Sequence, residues 1–368
     1  MVVAVPLSGE GSSLRIEQRA HLPSFLGLSL KNGLLNLITL TLYRFWGKTE
    51  VRRRIWASTY VNDDPLEYTG RGVELFVGFL IALAILGLPF LLATFGAQLL
   101  GPAIAGLIVV VMYIGLMFLV GFGMFTAFRY MASRTALRGV RFHLKGRAMD
   151  YALSYFGYGW LSAITLGWFW PAAQRRLAGQ LWGGLRFGDG RFRFDLEAAR
   201  KVGVYGPYAL GWVGLIVLYI VFAGALFGVM SPMFAAAEGG DTPPVPGLGM
   251  MVAIYLLSTA MVVAIVAAFA PYHAASLRSV AAGTSFEGVR FSLDLKAGTM
   301  VCLMLSNIFL ILVSLGFLMP FVQARTLKLV INRLQTSGAV DLDAIRQSAQ
   351  AGPRTGEGLA DAFGISPI

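Results

Sequence analysis

The sequence predicts an all-α polytopic membrane protein: two transmembrane hairpins plus three repeated re-entrant or interfacial helical units, with a small cytoplasmic β element. Three observations predict it. The 368 residues are 57% apolar and only 13% charged, with a mean hydropathy of +0.69; an ordinary soluble domain carries about 25% charged residues. The 30 basic residues are absent from two long regions, Gly72–Phe128 and Val202–Leu277. The segments outside those regions resemble one another.

Seven apolar stretches are long enough to cross hydrocarbon, which takes about 20 residues: 22–43, 73–95, 103–128, 148–170, 202–230, 248–277 and 297–324. Lys and Arg stay on the cytoplasmic side of a membrane protein. If all seven stretches crossed, the basic residues would divide almost evenly between the two sides. If only the two Lys/Arg-free regions cross, each as a hairpin, all 30 lie on one side. The charge pattern therefore favours four spans, with seven simple spans as the alternative. The connectors of the two hairpins are 96–102 and 231–247, the second holding Pro243, Pro244 and Pro246, which a helix cannot continue through.

The chain divides into an N-terminal segment (1–21), repeat unit 1 (22–71), hairpin 1 (72–128), unit 2 (129–201), hairpin 2 (202–277), unit 3 (278–335) and a polar tail (336–368). The repeat is carried by particular residues. GVRFHL (139–144) matches GVRFSL (288–293), and in the same register Leu166-Gly167 matches Leu315-Gly316, Pro171 matches Pro320, Gln174 matches Gln323 and Arg176 matches Arg325. Thr39-Leu40 and Trp56 match Thr165-Leu166 and Trp182. Alternating runs at 138–144, 185–194 and 287–293 predict short strands, with Asp189-Gly190 as a turn signal and Phe142, Phe187, Phe192 and Phe194 on one apolar side. An isolated strand pair is marginal in water, so the units are expected to pool their strands into one small sheet. The tail is expected to be polar, with at most a short helix at 342–350.

The run LLNLITLTLYRFWGKTEVRRRIW (34–56), PLEYTGRGVELFVGFL (65–80) and the tail PRTGEGLADAFGI (353–365) resemble the YjgN-type bacterial inner-membrane proteins, the DUF898 group of unknown function. The resemblance implies a multi-pass protein of the bacterial inner membrane and brings no catalytic residues. Thr41 and Gly47-Lys48 depart from the Gly and Ala-Lys usual at those places.

The remaining motifs narrow the function. Cys302 is the sole cysteine, and His21, His143 and His273 are far apart, so neither a disulfide nor a Cys/His metal framework is expected. Asp63-Asp64 and Asp341/Asp343 could in principle hold a metal, and Asp63-Asp64-Pro65 reads better as a turn. No GxxxxGK[ST], HExxH or GxSxG is present, so no enzyme, cofactor or catalytic residue is expected. The start, MVVAVPL, lacks the basic residue and sustained apolar core of a signal peptide. Gly224–Gly228 forms a GxxxG, expected to serve helix packing within the chain. The candidate contacts for anionic lipid headgroups or another anion are Trp46, Lys48, Arg52, Arg53, Arg54 and Trp56, with Arg175, Arg176 and Trp182 in unit 2, because Trp and Lys/Arg gather at the cytoplasmic interface. In a helix, Lys48, Arg52 and Trp56 share a face. The expected partner is the bilayer and its anionic headgroups, with no nucleic acid; an oligomer is compatible. Two functions follow: passive transport or lipid handling through a cavity formed by the repeats, and a non-catalytic envelope scaffold binding headgroups or a protein through its basic face.

Overall fold

The computed structural model describes residues 12–97, 99, 101–239 and 245–347. Strands β1 (Ser12–Ser13) and β2 (Ile16–Gln18) lead into helices α1 (Leu22–Ile38) and α2 (Arg44–Ala57). The hairpin β3 (Thr59–Val61) and β4 (Asp64–Tyr68) follows, then α3 (Gly72–Ala82), a π-helical turn at Leu83–Gly87, α4 (Leu88–Ala97) and α5 (Pro102–Arg134). The hairpin β5 (Thr135–Leu137) and β6 (Val140–Leu144) precedes α6 (Ala148–Ile164) and α7 (Trp170–Gly184). After β7 (Leu185–Phe187) and β8 (Gly190–Phe194) come α8 (Leu196–Lys201), α9 (Tyr205–Glu238) and α10 (Leu248–Gly283). The chain ends with β9 (Thr284–Phe286), β10 (Val289–Leu293), α11 (Ala297–Val313), α12 (Met319–Ile331), β11 (Leu334–Ser337) and β12 (Ala339–Val340).

The fold is not all-α. Ten strands form one antiparallel sheet in the order β11-β10-β9-β8-β7-β6-β5-β4-β3-β2. Leu14 and Val340, at opposite ends of the described chain, share a core with Leu137 and Phe187 from the middle of the sheet, so the sheet curls into a nearly closed barrel. The expected small β element falls short because each strand is only three to five residues long. No single run of sequence looks like more than a hairpin. The barrel exists only once hairpins separated by long helices pair edge to edge, as Leu66 does with Leu137, Phe142 with Phe187, and Phe192 with Phe286.

The hairpin turns are built for tight reversal. Asn62-Asp63, Arg138-Gly139 and Glu287-Gly288 all have both central residues at positive φ, the twist-matched geometry of two-residue hairpins. The β7–β8 turn is Gly188-Asp189, with Phe187 paired to Gly190, one residue earlier than the Asp189-Gly190 expected. The tail also differs from expectation. Residues 334–337 complete the barrel and 339–340 pair with β1, while 341–347 form no helix; positions 348–368 lie outside the described residues.

The three short helix pairs, α1–α2, α6–α7 and α11–α12, turn back by one device. The first helix is 17 residues long in each, about 25 Å at 1.5 Å per residue. It ends at Thr39, Thr165 or Ser314, whose hydroxyl accepts the amide N–H of Tyr43, Phe169 or Leu318 at 3.0–3.1 Å. The next two residues, Leu40-Thr41, Leu166-Gly167 and Leu315-Gly316, sit at positive φ. The amide of the second returns to the carbonyl of Asn36, Ser162 or Ile311 at 2.6–2.8 Å, satisfying a helix-end acceptor as in a Schellman motif. Leu40, Leu166 and Leu315 are 84%, 78% and 88% exposed at the tips.

Among the described residues, α5, α9 and α10 are long and apolar enough to cross a membrane, and no residue of their most apolar windows is buried. The segment from Gly72 to Ala97 is helical throughout but interrupted by the π turn. Two of the helix pairs rest on long helices: Tyr151 and Leu177 pack with Phe125 of α5, and Met300 and Leu303 pack with Ala270 and Ala274 of α10. Phe25 and Leu28 of α1 meet Ala324 of α12, which joins the first pair to the last. Gly211 and Gly214 let α9 approach Phe269 and Ala268 of α10. The GxxxG glycines Gly224 and Gly228, expected to pack within the chain, face no atom within 4 Å of a Cβ, because α9 and α10 meet nearer the barrel.

Two measurements check this account. Gly139 has φ +77° with open space around it, so Gly139→Ala should cost about 1 kcal/mol through backbone strain alone. Gly298→Ala, in α11 with equal space and no positive φ, should leave thermal unfolding in detergent unchanged or raise its midpoint. His143 on β6 is held below its ordinary pKa by burial, with Lys145 and Arg186 adding to the effect. The unfolded chain takes that proton near the ordinary value of about 6.5, so stability falls as pH drops through it toward the lower folded value. His143→Gln should therefore reduce the loss of melting temperature between pH 7.5 and 5.5; an unchanged loss would contradict the assignment.

Candidate functional site

Alternation along ten short strands sends every second side chain inward, and the inward set is hydrocarbon. Ile16 of β2, Val61 of β3, Leu66 of β4, Leu137 of β5 and Phe142 of β6 line a cavity of about 370 Å³ inside the barrel. Phe187 of β7, Phe192 of β8, Phe286 of β9, Phe291 of β10 and Leu334 of β11 complete the ring. Apart from Thr284 and the indole of Trp182, the lining is apolar. Phe142 stacks near Phe187 at 4.7 Å between ring centroids and Phe192 near Phe286 at 4.6 Å. Phe194 shares their parity on β8 but packs against Gly179 and Gly283 at the helix ends.

The two ends of the chamber differ. At one end, the C-terminal turns of α7, α10 and α12 contribute Trp182, Leu277, Val280, Val330 and Ile331, so the chamber reaches up between the helices. At the other end, residues after β12 lie across the hairpin turns. Leu342 lines the chamber and Ile345 packs on the barrel core. This strap is held by an ion pair between Arg138 and Asp343, by Asp189 donating its amide to the Arg346 carbonyl at 3.0 Å, by Arg346 donating its amide to the Asp189 carboxylate at 3.1 Å, and by Arg141 donating its amide to the Gln347 side chain at 2.7 Å. An apolar space of this kind suits apolar ligands better than water, and its volume falls in the range of about 300–1,000 Å³ typical of small-molecule sites.

The residues predicted to contact anions do not form one cluster. Arg52 is 1% exposed and donates to the Tyr68 hydroxyl at 3.3 Å. Trp56 donates its indole N–H to the Thr135 hydroxyl at 2.9 Å. Lys48, on the same face of α2, is half-buried. That face, expected to meet headgroups, looks inward, because α2 must seat against β4 and β5 to deliver β3 into the barrel. Arg53 and Arg54 are exposed and donate to the carbonyls of Gly70 at 3.0 Å and Ser24 at 2.9 Å, and Trp46 remains at the surface. In the second unit, Arg175 is buried and donates to the Ser279 hydroxyl at 2.9 Å and the Val202 carbonyl at 2.7 Å. Arg176 lies over the Phe169 ring at 5.2 Å, and Trp182 lines the chamber.

The chamber itself was invisible as a site, since its residues read as ordinary strand interiors. Sequence reasoning also passed over Asn332, Lys328 and Arg333 at the end of α12; the available signal was three polar residues flanking the apolar run Leu329, Val330 and Ile331. Among the described residues, no group of three or more His, Cys, Asp and Glu is placed to hold a metal ion.

Arg175 is expected to be structural. Arg175→Ala removes a buried cation and leaves the Val202 carbonyl and Ser279 hydroxyl without its hydrogen bonds, which should cost on the order of 2–3 kcal/mol, whereas Arg176→Ala, losing a partly exposed ring contact, should cost about 0.5–1 kcal/mol. Denaturation of the two variants in detergent checks the order, and the reverse order would contradict it.

Comparison with curated proteins and with solved structures finds no match. A family model described as a bacterial protein of unknown function (DUF898) matches residues 14–362. With the match spanning nearly the whole chain, from the strand that opens the barrel past the strap that covers it, the protein belongs to the DUF898 family.

Proposed function

We propose that the protein is a non-catalytic integral protein of the bacterial inner membrane that binds a lipid-class ligand, housing its hydrocarbon chain in the barrel. The observation that carries this reading is the almost entirely apolar chamber ringed by all ten strands and reaching up between the helix ends. Its lining offers no polar path, which favours a hydrocarbon guest over a polar solute. The membrane setting is supported by the unburied apolar windows of α5, α9 and α10 and by the exposed leucines at the three helix-pair tips. The helix pairs, as repeats, enter the hydrocarbon and return, because about 25 Å per helix falls short of the roughly 30 Å core. Gly72–Ala97 with α5, and α9 with α10, serve as two spanning hairpins. The barrel then hangs on the cytoplasmic side, where the basic residues gather, and the exposed Arg53 and Arg54 face anionic headgroups.

Titration of the purified protein in detergent with a fluorescent long-chain alcohol checks the reading. One probe per chain should bind saturably. Ala281→Phe, which places a ring into the chamber from α10, should weaken binding at least tenfold while the protein still melts cooperatively. Absence of saturable binding by the wild-type protein would leave the barrel as the core of a scaffold and overturn the proposal.

A further inference from the structure

The barrel has one seam, and the structure there differs from every other strand contact. The sheet ends at β11 and β2; no backbone ladder joins those two among the described residues. Side chains bridge them instead. Asn332 accepts the Gln18 amide N–H at 2.7 Å and donates to the Gln18 carbonyl at 3.1 Å, so one carboxamide takes the place of a strand residue. Lys328 donates to the Ala20 carbonyl at 2.7 Å, and the Thr336 hydroxyl donates to the Leu14 carbonyl. Among the described residues, the two-residue pairing of β1 with β12, Ser12 with Val340 and Ser13 with Ala339, is what closes the far end with backbone bonds.

Three spaces run along this seam and share walls. The apolar chamber shares Leu14, Ile16 and Leu334 with a cleft of about 470 Å³ between the two edges. That cleft shares Asn332 with an outer cleft of about 680 Å³ at the end of α12 and the start of α1. Arg325, Lys328 and Arg333 line the outer cleft, and Asp294 is its one acid among the described residues. Among the described residues none of these three cations pairs with a carboxylate. Arg325 donates to the Asn307 side-chain oxygen at 3.1 Å, Lys328 to Ala20, and Arg333 to the Asp294 carbonyl at 3.4 Å. In the middle cleft, by contrast, the arginines are neutralised, Arg15 and Arg19 by Glu17 and Asp63. A cationic cleft leading through a side-chain-latched seam into a hydrocarbon chamber has the polarity order of an amphiphile.

We propose that the β2–β11 seam is the lateral gate of the chamber and that its ligand is an anionic single-chain amphiphile. The acidic headgroup rests on Arg325, Lys328 and Arg333, and the chain passes between the strand edges into the barrel. This rests on the chamber reading above, and the test separates the two. Binding of a fluorescent long-chain fatty acid is compared with that of the matching alcohol, which reports the chamber alone. Wild-type protein should prefer the acid, and a variant carrying Arg325→Gln, Lys328→Gln and Arg333→Gln should lose at least tenfold of that preference while still binding the alcohol. Single Arg325→Gln and Arg333→Gln variants, each expected to lose part of the preference, serve if the triple variant does not fold.

Locking the seam tests the gate. In a Cys302→Ser background, Ser13→Cys with Ala339→Cys joins directly paired residues, whose spacing suits a disulfide. Oxidation should slow exchange of both probes at least tenfold, and reductant should restore it. The control, Arg193→Cys with Ser285→Cys across β8 and β9, should not slow exchange. An unchanged acid preference in the cation variants overturns the headgroup site, and unchanged exchange in the locked seam overturns the gate, with the chamber reading intact in both cases. Failure of the wild-type protein to bind the alcohol overturns both readings together.

Discussion

The structure depends on the need of every short strand for a backbone partner outside its own hairpin. Three-residue strands such as β3, β5, β7 and β9 cannot stand in water as isolated pairs. Each hairpin leaves an edge that the next one satisfies, Tyr68 pairing with Thr135, Leu144 with Leu185 and Phe194 with Thr284. That chain of edge pairings fixes where the helices can be. α2, α5, α7, α10 and α12 each deliver a strand into the sheet, so their C-terminal ends must stand around one rim. The short helix pairs and the long helices are arranged by the barrel beneath them as much as by their own contacts.

A ring of ten strands has an interior that short side chains do not fill. Leucine, valine, isoleucine and phenylalanine point inward from all sides, yet about 370 Å³ remains. Native interiors are close-packed, and an unfilled apolar volume of this size costs stability through lost contacts. Three features bound it without filling it: the strap at 341–347 across the turns, the helix ends above, and the side-chain latch between β2 and β11. The latch differs from the barrel's other edge contacts, since Asn332 substitutes one carboxamide for ladder bonds.

Much of the membrane character was legible in residues. The uncharged regions around α5, α9 and α10 and the shared Leu-Gly turns at 166–167 and 315–316 are local signals. So are the alternating runs that became β6, β7, β8 and β10, and the inward phenylalanines at 142, 187 and 192. The size of the sheet was not legible, because β3, β5 and β9 carry too few residues to alternate visibly. The anion-contact prediction on α2 had the helical spacing right and the direction wrong for Arg52 and Trp56. A period along the sequence says which side chains share a face and nothing about what that face meets. Asn332 and Thr336 gave no local sign, for their partners Gln18 and Leu14 lie at the other end of the chain.

By itself the sequence determined that this chain belongs with a membrane, because transfer of apolar side chains and exclusion of charge are properties summed residue by residue. It also marked the tips of two helix pairs, since Gly167 and Gly316 adopt positive φ at little cost. Only the tertiary structure decided that the hairpins close into one barrel, that Arg52 and Arg175 are buried ties, and that an apolar chamber lies behind a cationic cleft. Those outcomes rest on backbone and side-chain contacts between segments far apart in the chain, whose geometry exists only when every strand has found its neighbour.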